Sequence, residues 1–448
     1  MAMSVALQRK SVARDLYCRP PRDLHGVGAF GLWRILKSAY GLAEVPFAPA
    51  TFVKVKKRGG KQTTVAILCL HVDDGFLAVE DGEEAKETQK AIDERFSIKE
   101  WIVIGEKPVA YLGMKISLQG DTFLNDMTDY VFELKEAVLR DRGSQNLDAA
   151  GLKEFRRLIA QLRWPVHLVV PELLCQVSLL AQRVGQATWS DLAEANKLLK
   201  ALKSTATEGK AKLRVRRLAG NPELVTYFDA ALGSSNSLAA QRGEAHFLVD
   251  PSVLTSQGKG NLLEFHSNKI SRVVRSSMAA ECCSMSSSAD RLVYNMKLWD
   301  ALYDGAVTTS STWQQEIRAR GHLVTDARSL YDHVHGSNQL AAERQTSLDI
   351  LGIRQMVQEG LVSLHWVPTW RQYGDCLTKP MEDLLYVRFK NDGCLNVKQS
   401  PADAKEEERR FFLRKAQRER RKLRMHTTRD KSTFFCFDVK NTACGHVL

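Results

Sequence analysis

The chain has 448 residues and a formal net charge of +12, from 64 Lys and Arg against 52 Asp and Glu. Its 44% hydrophobic and 26% charged residues are those of an ordinary folded protein, long enough for two or three domains. A membrane protein built from apolar spans is excluded: no stretch of about 18 residues lacks charge, and the best one, around 165–182, is broken by Pro171 and Glu172.

The positive excess points to a polyanionic partner, of which nucleic acid is the commonest. A basic tail on a near-neutral body is the alternative. Residues 409–424 carry nine Lys or Arg against one acid, Glu419. The nine cysteines lie at 18, 69, 175, 282, 283, 376, 394, 436 and 444. No CxxC occurs, no Cys/His set has zinc spacing, and no secretory signal precedes them. The expectation is reduced, mostly buried thiols in an intracellular protein, cytoplasmic or nuclear.

In chain order, residues 1–130 mix short strands and helices. Their clearest element is a hairpin: Val65–Val72 is almost wholly apolar, Asp73-Asp74-Gly75 turns, and Phe76–Val79 is apolar again. Residues 85–97 read as a helix. Residues 131–210 are mainly helical, with Leu158, Ile159 and Leu162, then Leu192, Ala195, Leu198, Leu199 and Leu202, at helical spacing. The stretch 211–222, with Lys212, Arg214, Arg216 and Arg217 before Gly220 and Pro222, reads as a basic linker. Beyond it, Leu224–Phe228, Ala245–Val249, Leu262–His266, His322–Thr325 and Val362–Val367 read as strands. Ser276–Leu302 and Leu340–Gln358 read as helices. Three strands, a helix and then alternation predict a mixed sheet with helices on its faces. Residues 391–448 lack a periodic core pattern and read as a basic tail, helical or disordered.

Four acids stand at the ends of these elements. Asp229 ends the first strand, Glu281 lies one turn into the long helix, Asp326 ends a later strand, and Asp375 sits near the start of a helix after Val367. Carboxylates gathered at one end of a sheet repel unless cations neutralise them. Mg²⁺, or Mn²⁺, suits such oxygen ligands. Taken singly, each acid is more simply read as a solvated carboxylate at a loop edge.

The surrounding residues resemble the copia-type retrotransposon polyprotein, from about residue 5 to about residue 385. Tyr227-Phe228-Asp229-Ala230 resembles Y-S-D-A, and Ser276-Ser277-Met278-Ala279-Ala280-Glu281 resembles S-S-T-E-A-E. Val324-Thr325-Asp326 sits at the D-N-Q position, and Asp375-Cys376-Leu377-Thr378-Lys379-Pro380-Met381 resembles D-I-L-T-K-P-L. Further upstream, Leu32-Trp33-Arg34 to Tyr40-Gly41-Leu42 resembles L-W-R to Y-G-L, and His71-Val72-Asp73-Asp74 resembles Y-V-D-D of the family's reverse transcriptase.

The resemblance implies a mixed α+β to α/β chain. A truncated reverse-transcriptase palm (1–130) would be followed by a helical thumb- or connection-like region (131–210), the basic linker (211–222), an RNase H-like domain (223–390) and the tail (391–448). It implies that Asp229, Glu281, Asp326 and Asp375 are catalytic and metal-binding, with Mg²⁺ or Mn²⁺ as cofactor and an RNA–DNA hybrid as substrate. It also carries departures. Ala231 and Ala279 replace acids, and Ser347-Leu348-Asp349-Ile350-Leu351 replaces H-I-D-I-R. The family's first palm Asp is missing, because the first acid here is Asp15, and the segment after Pro46 is short. Asp73 and Asp74 are therefore expected to be a degenerate polymerase site without DNA synthesis. Two readings remain open: a metal-dependent ribonuclease, and a catalytically dead relic or co-opted nucleic-acid-binding protein.

Overall fold

A computed structural model describes residues 2–7, 42–71, 74–96, 98, 100–139, 143, 145–233, 239–305, 316–336, 343–381, 384–397 and 409. Residues 1–397 form one compact unit, described below, and 398–448 a second. The basic run 409–424, apart from Arg409, lies outside the described residues, as does Asp73.

The chain opens with β1 (Ala2–Leu7), β2 (Leu42–Glu44), β3 (Thr51–Arg58), β4 (Lys61–His71) and β5 (Asp74–Val79), then α1 (Glu83–Phe96) and β6 (Glu100–Val103). These strands make one sheet in the order β2-β3-β4-β5-β1-β6. The expected hairpin is β4–β5, with His71 opposite Asp74 and Ala66 opposite Val79. Phe52, Ala66, Leu68, Leu77 and Val79 pack on Ile92 of α1. Glu83 and Glu84 in the first turn of α1 suit the positive end of its dipole.

Next come β7 (Val109–Tyr111), β8 (Met114–Gln119), β9 (Thr122–Asp126), α2 (Thr128–Glu133), α3 (Ala149–Leu168), α4 (Leu174–Ala181), α5 (Trp189–Thr207) and β10 (Lys212–Arg216). Asp148 caps α3, and Thr188 with Asp191 forms a capping box on α5. The expected linker is corrected here: β10 pairs antiparallel with β9 as the edge of a sheet ordered β10-β9-β8-β7. Lys212, Arg214 and Arg216 alternate with Leu213 and Val215, and Leu213 is buried. The basic residues mask a strand's period-two pattern.

The third sheet is built from β11 (Glu223–Ala231), β12 (Gln241–Val249), β13 (Gly258–Lys269), β14 (Gly321–Thr325), β15 (Val362–Trp366) and β16 (Cys394–Leu395). Its order is β15-β14-β11-β12-β13-β16. The run β11–β12–β13 is antiparallel, whereas β14 is parallel to both β11 and β15. Helices α6 (Ser277–Tyr303), α7 (Arg328–His335), α8 (Arg344–Gln358), α9 (Asp375–Thr378) and α10 (Leu384–Asp392) flank it. The fold class is the expected one, a mixed α+β chain ending in a mixed sheet with flanking helices.

Leu224 and Phe228 of β11 face a core with Met285, Leu292, Leu330 and Ile350 from α6, α7 and α8. Val225 and Tyr227, at alternate positions, face a second core with Phe155, Leu158 and Leu162 of α3, Leu199 of α5 and Phe389 of α10. Burial on both faces explains why β11 reads as a nearly continuous apolar run. Helices α3–α5 thus share one core with the third sheet.

The start of the expected tail is also corrected: β16 pairs with β13, and Leu395 and Val397 are buried in that same core. The buried Lys390 beside it donates to Glu172 at 2.6 Å, the Lys210 carbonyl at 2.8 Å and the Val169 carbonyl at 3.3 Å. Lys390→Met keeps the stem but leaves the half-buried Glu172 carboxylate and two carbonyls without their donor. The expected loss is about 3 kcal/mol, near the low end for breaking a buried pair. Thermal melts check this, and truncation after Lys390 should melt below truncation after Val397. Equal midpoints in both comparisons would show that this segment adds nothing to the core.

Candidate active site

The parallel pairing of β11 with β14 sets two acids side by side. Asp229 lies near the C-terminal end of β11, and Asp326 directly follows β14. Ser276 caps α6 by accepting from the Ala279 N–H at 3.1 Å, which places Glu281 in the second turn. Asp375 is the first residue of α9.

Asp229 is the hub, 3% exposed. Its carboxylate accepts from the Thr378 hydroxyl. Glu281 and Asp375 lie close enough to Asp229 for the carboxyl groups to act on one another electrostatically. The Lys379 Nζ lies 3.1 Å from Asp375 Oδ1 and 3.8 Å from Asp229 Oδ2. The buried Gln372 donates to the Phe228 carbonyl at 2.9 Å and reaches Asp326 Oδ1 at 3.4 Å. Trp366 Nε1 donates to the Asp326 carbonyl at 2.9 Å, and Ser284 to the Asp229 carbonyl at 2.8 Å. The four predicted acids are therefore brought together.

Electrostatics records the crowding. Burial pushes Asp229 up to about 7; Lys379 opposes this, and Asp375 and Asp326 add to it. Glu281 is held well above the usual carboxylate range by burial, then by Asp229 and Asp326. Asp375 is raised by burial and Asp326 against Lys379. Burial lowers Lys379, but Asp229 and Asp375 outweigh it and the net shift is upward. Such a site favours bound protons or cations.

As the side chains stand, no three His, Cys, Asp or Glu among the described residues are disposed to hold a metal ion. The donor chemistry nonetheless fits one. All four acids offer hard oxygens, and the buried Oε2 of Glu281 has no hydrogen-bond partner.

Two glycines let α9 lie against the sheet. A Cβ on Gly374 would meet Asp229 Cβ at 2.7 Å and Asp229 N at 2.9 Å. A Cβ on Gly243, directly opposite Asp229 on β12, would meet Leu377 Cβ at 2.7 Å and the Gly374 carbonyl at 2.8 Å. Gln372, Gly243 and Gly374 carry no local signal in the sequence. Thr378 and Lys379 lie within the T-K-P segment. His365 is a β15 residue whose Nε2 is 3.1 Å from His322 Nδ1. Asp74 begins β5.

No described helix is long and apolar enough to cross a membrane. No protein-family model matches the chain, and no curated protein matches it. Among solved structures, it is similar to the foamy viral protease–reverse transcriptase in complex with double-stranded DNA. That likeness has 12% identity and a TM-score of 0.38 over 67% of this chain and 46% of that one. The chain therefore spans less than half of that relative. It is also similar to RNase H1 from the halophilic archaeon Halobacterium salinarum, with 16% identity and a TM-score of 0.23 over 35% of this chain and 93% of that one. LC11-RNase H1 in complex with an RNA/DNA hybrid shows 13% identity and a TM-score of 0.24 over 35% and 93%.

Proposed function

We propose that this chain is the C-terminal part of a copia-type retrotransposon polyprotein. In this reading its third sheet carries a metal-dependent nuclease that hydrolyses the RNA strand of an RNA–DNA hybrid. The observation that carries the reading is the gathering of Glu281, Asp326 and Asp375 around the buried Asp229. The order and motifs of these four acids support the family.

Asp229, Glu281, Asp326 and Asp375 would hold Mg²⁺ or Mn²⁺. Bound divalent metal supplies water activation and charge stabilisation of the departing 3′ oxygen. The chain's own groups prepare the site. Thr378 orients the Asp229 carboxylate, Gln372 ties β11 to Asp326, and α6 delivers Glu281 with one oxygen unused. Holding ligands at fixed positions removes the entropy of assembling them. In the same reading the first sheet is a polymerase remnant, with Asp73 and Asp74 its degenerate site.

Ala231 and Ala279, where the family has acids, favour the second reading, a protein that binds nucleic acid without cutting it. A panel of end-labelled substrates separates the two. With Mg²⁺ the full chain should cut RNA in a hybrid and spare single-stranded RNA, duplex RNA and duplex DNA. Equal cleavage of all four would remove the hybrid-specific reading. Binding without any cleavage would leave the relic.

A further inference from the structure

Lys379 is a cation already seated in the carboxylate cluster. Its ammonium pairs with Asp375 at 3.1 Å and with Asp229 at 3.8 Å. We propose that Lys379 is a tethered counter-ion, and that a divalent metal occupies the cluster only as this ammonium swings out. The proposal rests on the metal-centre reading above and assigns a regulation to it.

The root of the side chain is fixed. Lys379 closes α9 in an extended conformation, φ −134° and ψ 140°, and its N–H donates to the Asp375 carbonyl at 3.0 Å. Pro380 follows, and a residue before proline is barred from helical backbone. The root therefore does not drift with the helix end. The stem is free by contrast: 50% of the side chain is exposed, so the route outward is open to water. A four-carbon stem with a compact charge can reach in or withdraw, which a planar, forked guanidinium does less readily.

Mutual exclusion follows from charge. A metal ion held by Asp229 and Asp375 would face the ammonium that now pairs with both, and like charges at contact repel. The ammonium links these two carboxylates. A single positive charge is also a poor match for four acids, so a divalent ion at sufficient concentration outcompetes it. The device offsets part of the cluster's charge when metal is scarce.

The test uses the full chain with Mn²⁺ alone. Free Mn²⁺ is followed by electron paramagnetic resonance in the wild type, Lys379→Met and Lys379→Gln. In parallel, acylation of the wild-type Lys379 amine is read by mass spectrometry with and without Mn²⁺, which needs no variant to fold. Removing the competing charge should tighten Mn²⁺ binding about tenfold, a modest value for one displaced ion pair. Mn²⁺ should make the Lys379 amine several-fold more reactive. Mn²⁺ binding that depends on Asp229 but is equal or weaker in the variants, with unchanged amine reactivity, would overturn the counter-ion role and leave the nuclease reading standing. No Mn²⁺ binding by any of the proteins would overturn the metal centre itself, and the displacement with it.

Discussion

Asp229→Asn is expected to raise the thermal midpoint of the metal-free protein at pH 8 while lowering hybrid cleavage by about a thousandfold or more, the scale for removing a residue from a unit that acts together. The two effects have opposite signs because one charge causes both. Burial, with Asp375 and Asp326 nearby, raises the folded-state pKa of Asp229 from 3.8 to about 7. The folded protein thus keeps a proton that the unfolded chain releases. This contribution to stability is fully present below the unfolded value and is lost as pH rises through about 7. Glu281 shifts in the same direction. Asparagine keeps the size and removes the repulsion. Its advantage over the wild type should therefore be clear at pH 8 and shrink by pH 5. Melts at both values in chelator check this. A variant destabilised equally at both would mean that the Thr378 and Lys379 contacts outweigh carboxylate repulsion.

Gly374→Ala should cost about 1–3 kcal/mol by overpacking and about a hundredfold in cleavage through a shift on the order of 1 Å. At φ −71° the backbone is ordinary, so this glycine is required for space rather than for conformation. The added methyl would meet Asp229 Cβ at 2.7 Å, Asp229 N at 2.9 Å and Phe228 C at 3.1 Å. Two of those atoms are backbone within a central strand and cannot yield. Helix α9 must lift instead, carrying Asp375, Thr378 and Lys379 away from Asp229. Gly352→Ala is the control. It lies inside α8 with nothing within 4 Å of an added Cβ, and it should be neutral or slightly stabilising. Melting and single-turnover cleavage of both variants decide the matter. A Gly374→Ala protein as stable and active as the control would show that close approach of α9 does not set the site.

The strand–helix order of the third sheet was legible because β11, β12 and β14 hold short apolar runs and residues 276–302 read as one long helix. The four acids were legible because motifs flank them. What stayed hidden depends on partners far away in the chain. Strand β10 is a strand only because β9 lies beside it, and its arginines disguise the alternation. Cys394–Leu395 is too short to signal a strand before β13 pairs with it. Lys390 looks like any surface lysine until Glu172 and two carbonyls close around it. Gly243 and Gly374 gain meaning only when α9 meets Asp229. Helices α3–α5 were visible as helices, but their burial against the third sheet required the tertiary fold.

The most direct test is cleavage of a labelled RNA–DNA hybrid under titrated Mg²⁺ or Mn²⁺, with wild type beside Asp229→Asn. The wild type should cut the RNA strand in a metal-dependent manner, leaving 3′-hydroxyl ends, and the variant should give no cutting above background. Equal cleavage by the two proteins, or no cleavage by the wild type at any metal concentration, would contradict the nuclease reading.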